Sequence, residues 1–178
     1  KEDHPYYDFT RKAAGEYAKL GFTIMTGGGP GLMEAANRGA KEVGGKSVGC
    51  NIKLPVDQMP NSYLDRWVVA KHFFIRKILL VKYSFAFVVM PGGFGTLDEY
   101  FEALTLVQTG KIKNFPIIIF NKEYHKALIE HINLMKQQGT INDSDSKLCM
   151  ITDDIEEARL FIMEHSIKHY GLKPKFHH

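Results

Sequence analysis

Short apolar segments alternate with amphipathic segments along the whole chain. Apolar runs bounded by glycine or polar turns are typical of buried parallel strands, and apolar residues three and four apart are typical of helices. The predicted strands are Phe22 to Met25, Ser47 to Ile52, Trp67 to Ala70, Phe85 to Met90, Pro116 to Phe120 and Leu148 to Ile151. The predicted helices are Tyr7 to Leu20, Pro30 to Val43, Phe73 to Tyr83, Thr96 to Gln108, Tyr124 to Gln138 and Asp154 to Tyr170.

This alternation predicts an α/β fold, a doubly wound, Rossmann-like parallel sheet with helices on both faces, because right-handed crossovers leave few alternatives. The length predicts a single domain that spans residues 1–178. Doubly wound folds usually open with a strand, whereas this chain opens with a helix. We therefore expect a first strand and its loop to precede Lys1.

The segment from Pro91 to Glu99 joins an apolar strand to an amphipathic helix through three glycines. A strand, a glycine-rich turn and a helix N-terminus present backbone N–H groups and the positive end of a helix dipole to an anion. The segment therefore predicts a phosphate site. Thr96 and Glu99 also have the spacing of a capping box, with Thr96 as N-cap and Glu99 at the third helical position.

An earlier glycine segment runs from Gly27 to Gly31, between a predicted strand and a predicted helix. Neither segment fits the dinucleotide pattern G-x-G-x-x-G, because Leu32 and Asp98 occupy the position of the third glycine. The alternatives are a ligand cradle and a tight turn that uses glycine for positive φ.

The predicted helix Phe73 to Tyr83 is apolar on nearly every side, which predicts burial on most sides. Arg76 and Lys77 interrupt it, and a buried arginine requires a partner. A structural acidic partner, a path to solvent along the side chain, and bidentate binding of an anionic ligand all stay open.

Composition narrows the classes of protein. A hydrophobic fraction of 44% excludes a disordered chain, and the net charge of +3 is spread without a dense basic block, so nucleic acid is not favoured as a partner. The apolar runs are too short for a membrane span. No metal-binding spacing of histidine and cysteine occurs, and Cys50 and Cys149 are interpreted as core thiols in a reducing cytoplasm.

The pair Arg76-Lys77 and the segment from Pro91 to Glu99 resemble the LONELY GUY (LOG) family, the cytokinin riboside 5′-monophosphate phosphoribohydrolases. The family signature Pro-Gly-Gly-x-Gly-Thr-x-x-Glu is matched at every fixed position, with an Arg-Lys pair on the helix before it. The Gly27 segment with Leu32-Met33 is similar to an upstream Gly-Gly-Gly…Gly-Leu-Met segment of that family.

The resemblance implies a cytoplasmic homodimer that hydrolyses AMP or an N6-modified AMP to free base and ribose 5-phosphate, without a metal or organic cofactor. It implies Arg76 and Glu99 as the catalytic pair. The substrate- and phosphate-binding residues that it implies are Gly28, Gly29, Gly31, Met33, Lys77, Gly92, Gly93, Phe94, Gly95, Thr96, Asp98 and Thr105. A non-catalytic module that binds a mononucleotide is the alternative, and a pyridoxal-phosphate decarboxylase lacks a supporting lysine context.

Overall fold

The structure is a computed structural model that describes residues 2–54 and 59–171. The chain divides into two compact units, the first ending at Ser84 and the second starting at Phe85. The predicted single domain over residues 1–178 stays a prediction.

The first unit contains a three-stranded parallel sheet in the order β1-β2-β3. Its elements are α1 (Pro5–Lys19), β1 (Ile24–Thr26), α2 (Leu32–Glu42), β2 (Ser47–Ile52), β3 (Arg66–Ala70) and α3 (Phe73–Lys82). Helices α1 and α2 approach closely, since a Cβ at Gly39 would overlap the backbone carbonyl of Arg11. Gly15 on α1 lies at the same contact, where a Cβ would stand 3.3 Å from the carbonyl oxygen of Gly39.

The second unit contains a three-stranded parallel sheet in the order β4-β5-β6. Its elements are β4 (Phe87–Val89), α4 (Phe94–Gln108), β5 (Ile117–Phe120), α5 (Lys126–Gln137), a 3-10 turn (Asp145–Leu148), β6 (Cys149–Thr152), α6 (Ile155–Ile162) and a π-helical segment (Met163–Lys168). The central strand β5 is buried along its whole length, which explains its continuous apolar sequence. Val89, Tyr100, Ala103 and Phe115 complete this core.

The predicted α/β fold is confirmed, with parallel sheets and helices on both faces. The order of strands and helices is as predicted, and β2 has the predicted bounds. Helix α2 begins at Leu32, so Pro30 lies before the helix and not in its first turn. The predicted closing helix is α-helical to Ile162 and then π-helical, and within the π-helical segment Ser166 donates a hydrogen bond to the carbonyl of Phe85 at 2.8 Å.

The prediction that the helix from Phe73 to Tyr83 is buried on most sides is wrong. Phe74 is 61% exposed and Ile78 is 57% exposed, whereas Leu80 is buried. Helix α3 packs against β2 and β3, and β3 is the last strand of its sheet among the described residues. One sheet covers only one side of a helix, so Phe73, Phe74, Ile75 and Ile78 of α3 stay exposed to solvent in the single chain.

The cysteines and the lengths of the helices can also be compared with the predictions. Cys50 and Cys149 are both free thiols, Cys50 buried and Cys149 partly so, as predicted. None of the helices in the described ranges has the length and apolar character that a membrane crossing requires.

Candidate functional site

The first glycine segment connects β1 to α2 and begins at Gly27. Gly28 and Gly31 have φ of 76° and 75°, a region that favours glycine. Gly31 is the N-cap of α2 and makes no side-chain capping bond, so the helix begins with bare backbone N–H groups. A Cβ at Gly28 would lie 3.3 Å from the Cα of Gly49. The turn conformation and the close contact therefore account for Gly28 and Gly31 by themselves.

A buried polar cluster fixes the shape of this segment. Asn37 is fully buried; its Oδ1 accepts hydrogen bonds from Thr26 Oγ1 at 2.7 Å and Asn61 Nδ2 at 3.0 Å, and its Nδ2 donates to Ser47 Oγ at 2.7 Å. Asn61 Nδ2 also donates to the carbonyl of Gly29 at 3.0 Å. This cluster was not predicted from the sequence. The signal for it is an asparagine on the side of a helix that should face the core.

Arg76 lies against the same segment. Its Nε donates a hydrogen bond to the carbonyl of Cys50 at 3.0 Å. A Cβ at Gly27 would lie 2.5 Å from Arg76 Nη2 and 2.7 Å from Met33 Sδ. The structure thus brings together Arg76, Met33 and the first glycine segment, and Lys77 follows on α3 as a partly buried residue. The partner of Arg76 Nε is a carbonyl group, which orients the guanidinium without neutralising its charge.

The second glycine segment, which follows β4 and contains Gly92, Gly93 and Gly95, starts α4 earlier than predicted. The N-cap is Gly93, and the N–H groups of Thr96 and Leu97 both donate to its carbonyl at 3.1 Å. The predicted capping box is therefore wrong: Thr96 stands at the third helical position and Glu99 at the sixth. Because Phe94 and Gly95 already have helical geometry, the first turn closes on Gly93, before the Thr-x-x-Glu spacing can act.

The three glycines of this segment have different structural roles. A Cβ at Gly92 would overlap the hydroxyl of Thr96, so the fold requires glycine there. A Cβ at Gly93 or at Gly95 would meet no heavy atom of the described residues within 4 Å, and neither glycine has positive φ. Packing and backbone conformation thus leave these two glycines unexplained. Phe94 between them is 95% exposed.

The acidic and polar site residues of α4 are spread along the helix. Glu99 is partly buried and its Oε2 is sealed from solvent. Asp98 and Thr105 are exposed and seven residues apart, on one side of the helix, and Thr105 Oγ1 donates to the carbonyl of Phe101 at 2.7 Å. Tyr100 is fully buried, and this burial raises the pKa of its phenol well above the usual value. Tyr100 therefore stays neutral beside the Glu99 position.

The residues that the structure describes include no group of three or more histidine, cysteine, aspartate or glutamate side chains placed to hold a metal ion. Arg76 belongs to the first unit and Glu99 to the second, and their joint action stays a prediction.

Comparison with known proteins decides the family. The family model described as "Possible lysine decarboxylase" matches residues 33–160. A cytokinin riboside 5′-monophosphate phosphoribohydrolase from Rhodococcoides fascians is 30% identical over 138 residues, which cover 76% of this chain and 69% of that protein. The chain belongs to the LONELY GUY family. A LONELY GUY relative of the same name from Mycobacterium tuberculosis is 30% identical over 144 residues, 79% of this chain and 76% of that protein.

The solved structures agree on the fold. The molybdenum cofactor binding protein from Rippkaea orientalis has a TM-score of 0.64 at 20% identity, covering 92% of this chain and 90% of that one. The LONELY GUY family match includes Arg76 and the whole of the second glycine segment, whereas Gly28, Gly29 and Gly31 lie before its first residue.

We expect the two neighbouring glycines to differ in their effect on folding. Gly92→Ala should lower the free energy of unfolding by about 1–3 kcal/mol, because its methyl group overlaps Thr96 in the first turn of α4. Gly93→Ala, the matched control, should lower it by no more than about 1 kcal/mol, because open space surrounds that position and only the preference of the N-cap for glycine over alanine is lost. Urea unfolding measures both. Equal losses would contradict the roles assigned to these glycines.

Proposed function

We propose that this LONELY GUY protein hydrolyses the N-glycosidic bond of a nucleoside 5′-monophosphate, either AMP or an N6-modified AMP such as a cytokinin riboside monophosphate. Water adds its hydroxyl to C1′ of the ribose and its proton to the leaving base, which gives free base and ribose 5-phosphate. The observation that carries the proposal is the start of α4. There two glycines with no role in packing, Gly93 and Gly95, stand at a bare helix N-terminus, six and four residues before the partly buried Glu99.

In this proposal the second glycine segment binds the 5′-phosphate. The N–H groups at the start of α4 and the Thr96 hydroxyl supply hydrogen-bond donors, and the helix dipole favours the negative charge. Gly93 and Gly95 lack side chains where the phosphate approaches, which explains glycines that the fold does not require. Binding energy from the phosphate, remote from the reacting bond, then positions the ribose.

Glu99 acts on the sugar. Cleavage of an N-glycosidic bond develops positive charge on the ribose, and a carboxylate stabilises such an oxocarbenium-like state. The sealed Oε2 places part of this carboxylate out of water, where a charge acts more strongly. The same carboxylate can orient the attacking water and accept its proton.

Arg76 is the second catalytic residue of the proposal. Its guanidinium is oriented by the Cys50 carbonyl and lies against Gly27 and Met33, so its position is set before a substrate binds. An arginine held in this way binds phosphate or ribose oxygens with little loss of side-chain entropy. The first glycine segment, with Gly28, Gly29 and Gly31, contributes further backbone groups to the nucleotide.

The relatives named above are phosphoribohydrolases that act on cytokinin riboside 5′-monophosphates. We propose the same class of substrate for this chain, with a role in cytokinin biosynthesis or, as an AMP nucleosidase, in purine salvage, and a cytoplasmic location. The proposed mechanism requires neither metal nor organic cofactor.

A non-catalytic nucleotide-binding module is the second candidate. A structural neighbour is a molybdenum cofactor binding protein, and glycine segments at helix N-termini serve binding as well as catalysis. This candidate gives no role to the carboxylate of Glu99. Binding of AMP without release of adenine over long incubation would favour it over the hydrolase.

We expect Glu99→Gln to reduce base release from AMP about 100-fold or more, because the amide cannot carry the negative charge that the transition state requires. The assay incubates the full chain with a panel of nucleoside monophosphates and identifies released bases by chromatography. Glu130→Gln, an exposed carboxylate on α5, is the matched control and should keep parental activity. Undiminished activity of the Glu99 variant would refute the proposed role.

Gly95→Ala separates binding from folding. It should raise the free energy of unfolding by about 0.5 kcal/mol, because alanine is the better helix former and has room. It should also raise the KM for AMP, because its methyl group occupies the space of the phosphate. Urea unfolding and steady-state kinetics measure the two effects. A Gly95→Ala variant that is stabilised but has the parental KM would contradict phosphate binding at this segment.

We propose that the chain forms a homodimer through an exposed apolar face. This face consists of Trp67, Val68, Val69, Phe73, Phe74, Ile75 and Ile78, each 42–57% exposed except Phe74 at 61%. It lies on β3 and α3, two elements in contact, and apolar clusters of this kind mark interaction surfaces. The LONELY GUY resemblance implies a homodimer, so we propose a second copy of this chain as the partner that covers this face.

The mass in solution tests this proposal. Phe74→Glu should convert the dimer to a monomer, because a charge would be buried without a partner. Leu134→Glu, at an exposed leucine of α5, is the control and should keep the parental mass. Sedimentation velocity measures all three proteins, and a parent that is monomeric at micromolar concentration would contradict the proposal.

A further inference from the structure

Hydrogen bonds connect the carboxyl ends of the three strands in the second unit. After β6, Asp153 Oδ1 accepts hydrogen bonds from the N–H groups of Asn121 at 2.8 Å and Lys122 at 3.1 Å, just after β5. Asn121 has φ of 67°, and its Oδ1 accepts a hydrogen bond from the N–H of Tyr124 at 2.8 Å. The turn between β5 and α5 is therefore fixed by side chains at both of its ends.

Tyr124 extends this chain of hydrogen bonds to the second glycine segment. Its hydroxyl donates to the carbonyl oxygen of Gly92 at 2.8 Å. Its ring packs edge-on against the ring of His125, with centroids 4.9 Å apart and planes at 79°. His125 is 2% exposed, and its Nδ1 lies 2.9 Å from the carbonyl of Phe120. The phenol thus has a fixed direction although half of its surface is exposed.

The bond to Gly92 determines where the next amide points. In a planar trans peptide the C=O and N–H groups point in opposite directions, and the peptide between Gly92 and Gly93 is trans. Since the Gly92 carbonyl points at Tyr124, the Gly93 N–H points away from it. Thr96 packs against Gly92 where a Cβ would otherwise stand.

We propose that Tyr124 is a positioning residue, which orients the Gly93 amide toward the 5′-phosphate through the Gly92 carbonyl. The inference rests on the proposed function, because it assumes that the second glycine segment binds phosphate. The phosphate is remote from the bond that breaks, and the remaining donors of the segment still position it, so one weakened amide bond destabilises the ground state and the transition state by about the same amount. Loss of such binding raises KM and leaves kcat unchanged.

Tyr124→Phe removes the hydroxyl and keeps the ring. The KM for AMP should rise about five-fold with kcat unchanged, since one neutral hydrogen bond is worth about that factor. The inhibition constant of inorganic phosphate, which has no base or sugar, should rise by the same factor. The matched control is Tyr170→Phe, which removes an exposed hydroxyl that donates to the carbonyl of Lys113 at 2.7 Å in the same unit.

Failure of this inference can be told apart from failure of the proposed function. Titration with inorganic phosphate, followed by the Gly93 amide signal in NMR, requires no turnover. Tyr124→Phe should need about five times more phosphate than the parent for the same shift, and Tyr170→Phe the same amount as the parent. If the parent binds phosphate in this way but releases no base, the hydrolase proposal fails and the positioning role stands. The positioning role is overturned if the parent and Tyr124→Phe need the same phosphate concentration for the same shift. It is also overturned if phosphate does not shift the Gly93 amide signal.

Discussion

Parallel pairing of the strands is the constraint on which the candidate site depends. Parallel strands end at the same edge of their sheet, so the segments that follow them are neighbours there. In the second unit this brings the glycine segment after β4 beside the turn after β5, within reach of the Tyr124 hydroxyl. In the first unit the segment after β1 lies beside β2, where Gly28 contacts Gly49. The buried apolar side chains of β5 hold the pairing in register.

Much of the fold could be predicted because its signals are local. The apolar run Pro116 to Phe120 and the segment Ser47 to Ile52 carry the strand pattern within a few residues, and both are strands in the structure. The prediction of a capping box was wrong although its pattern was also local. The spacing of Thr96 and Glu99 fits a box, but Gly93 starts the helix first. A local pattern states what a segment can form, whereas neighbouring residues decide where it begins.

Other features of the site are not visible in a sequence because they join distant residues. The Tyr124 hydroxyl and the Gly92 carbonyl are 32 residues apart, and Asn61 reaches Gly29 across the same interval. The exposure of α3 is another case. An apolar pattern shows that a side chain favours burial, but the partner that buries it can be the same chain or another one. The structure also distinguishes Gly92, which the fold requires, from Gly93 and Gly95, which the fold does not require.

The buried cluster around Asn37 has a thermodynamic consequence. Its hydrogen bonds form as the first unit folds, so the backbone of the first glycine segment loses its freedom at that stage. A ligand that reaches this segment meets amides and carbonyls already held in place, and association need not order them again. The free energy of each ligand contact then contributes to affinity and is not spent on ordering the segment. In this sense Asn37, a fully buried side chain, lowers the entropic cost of any ligand contact with this segment.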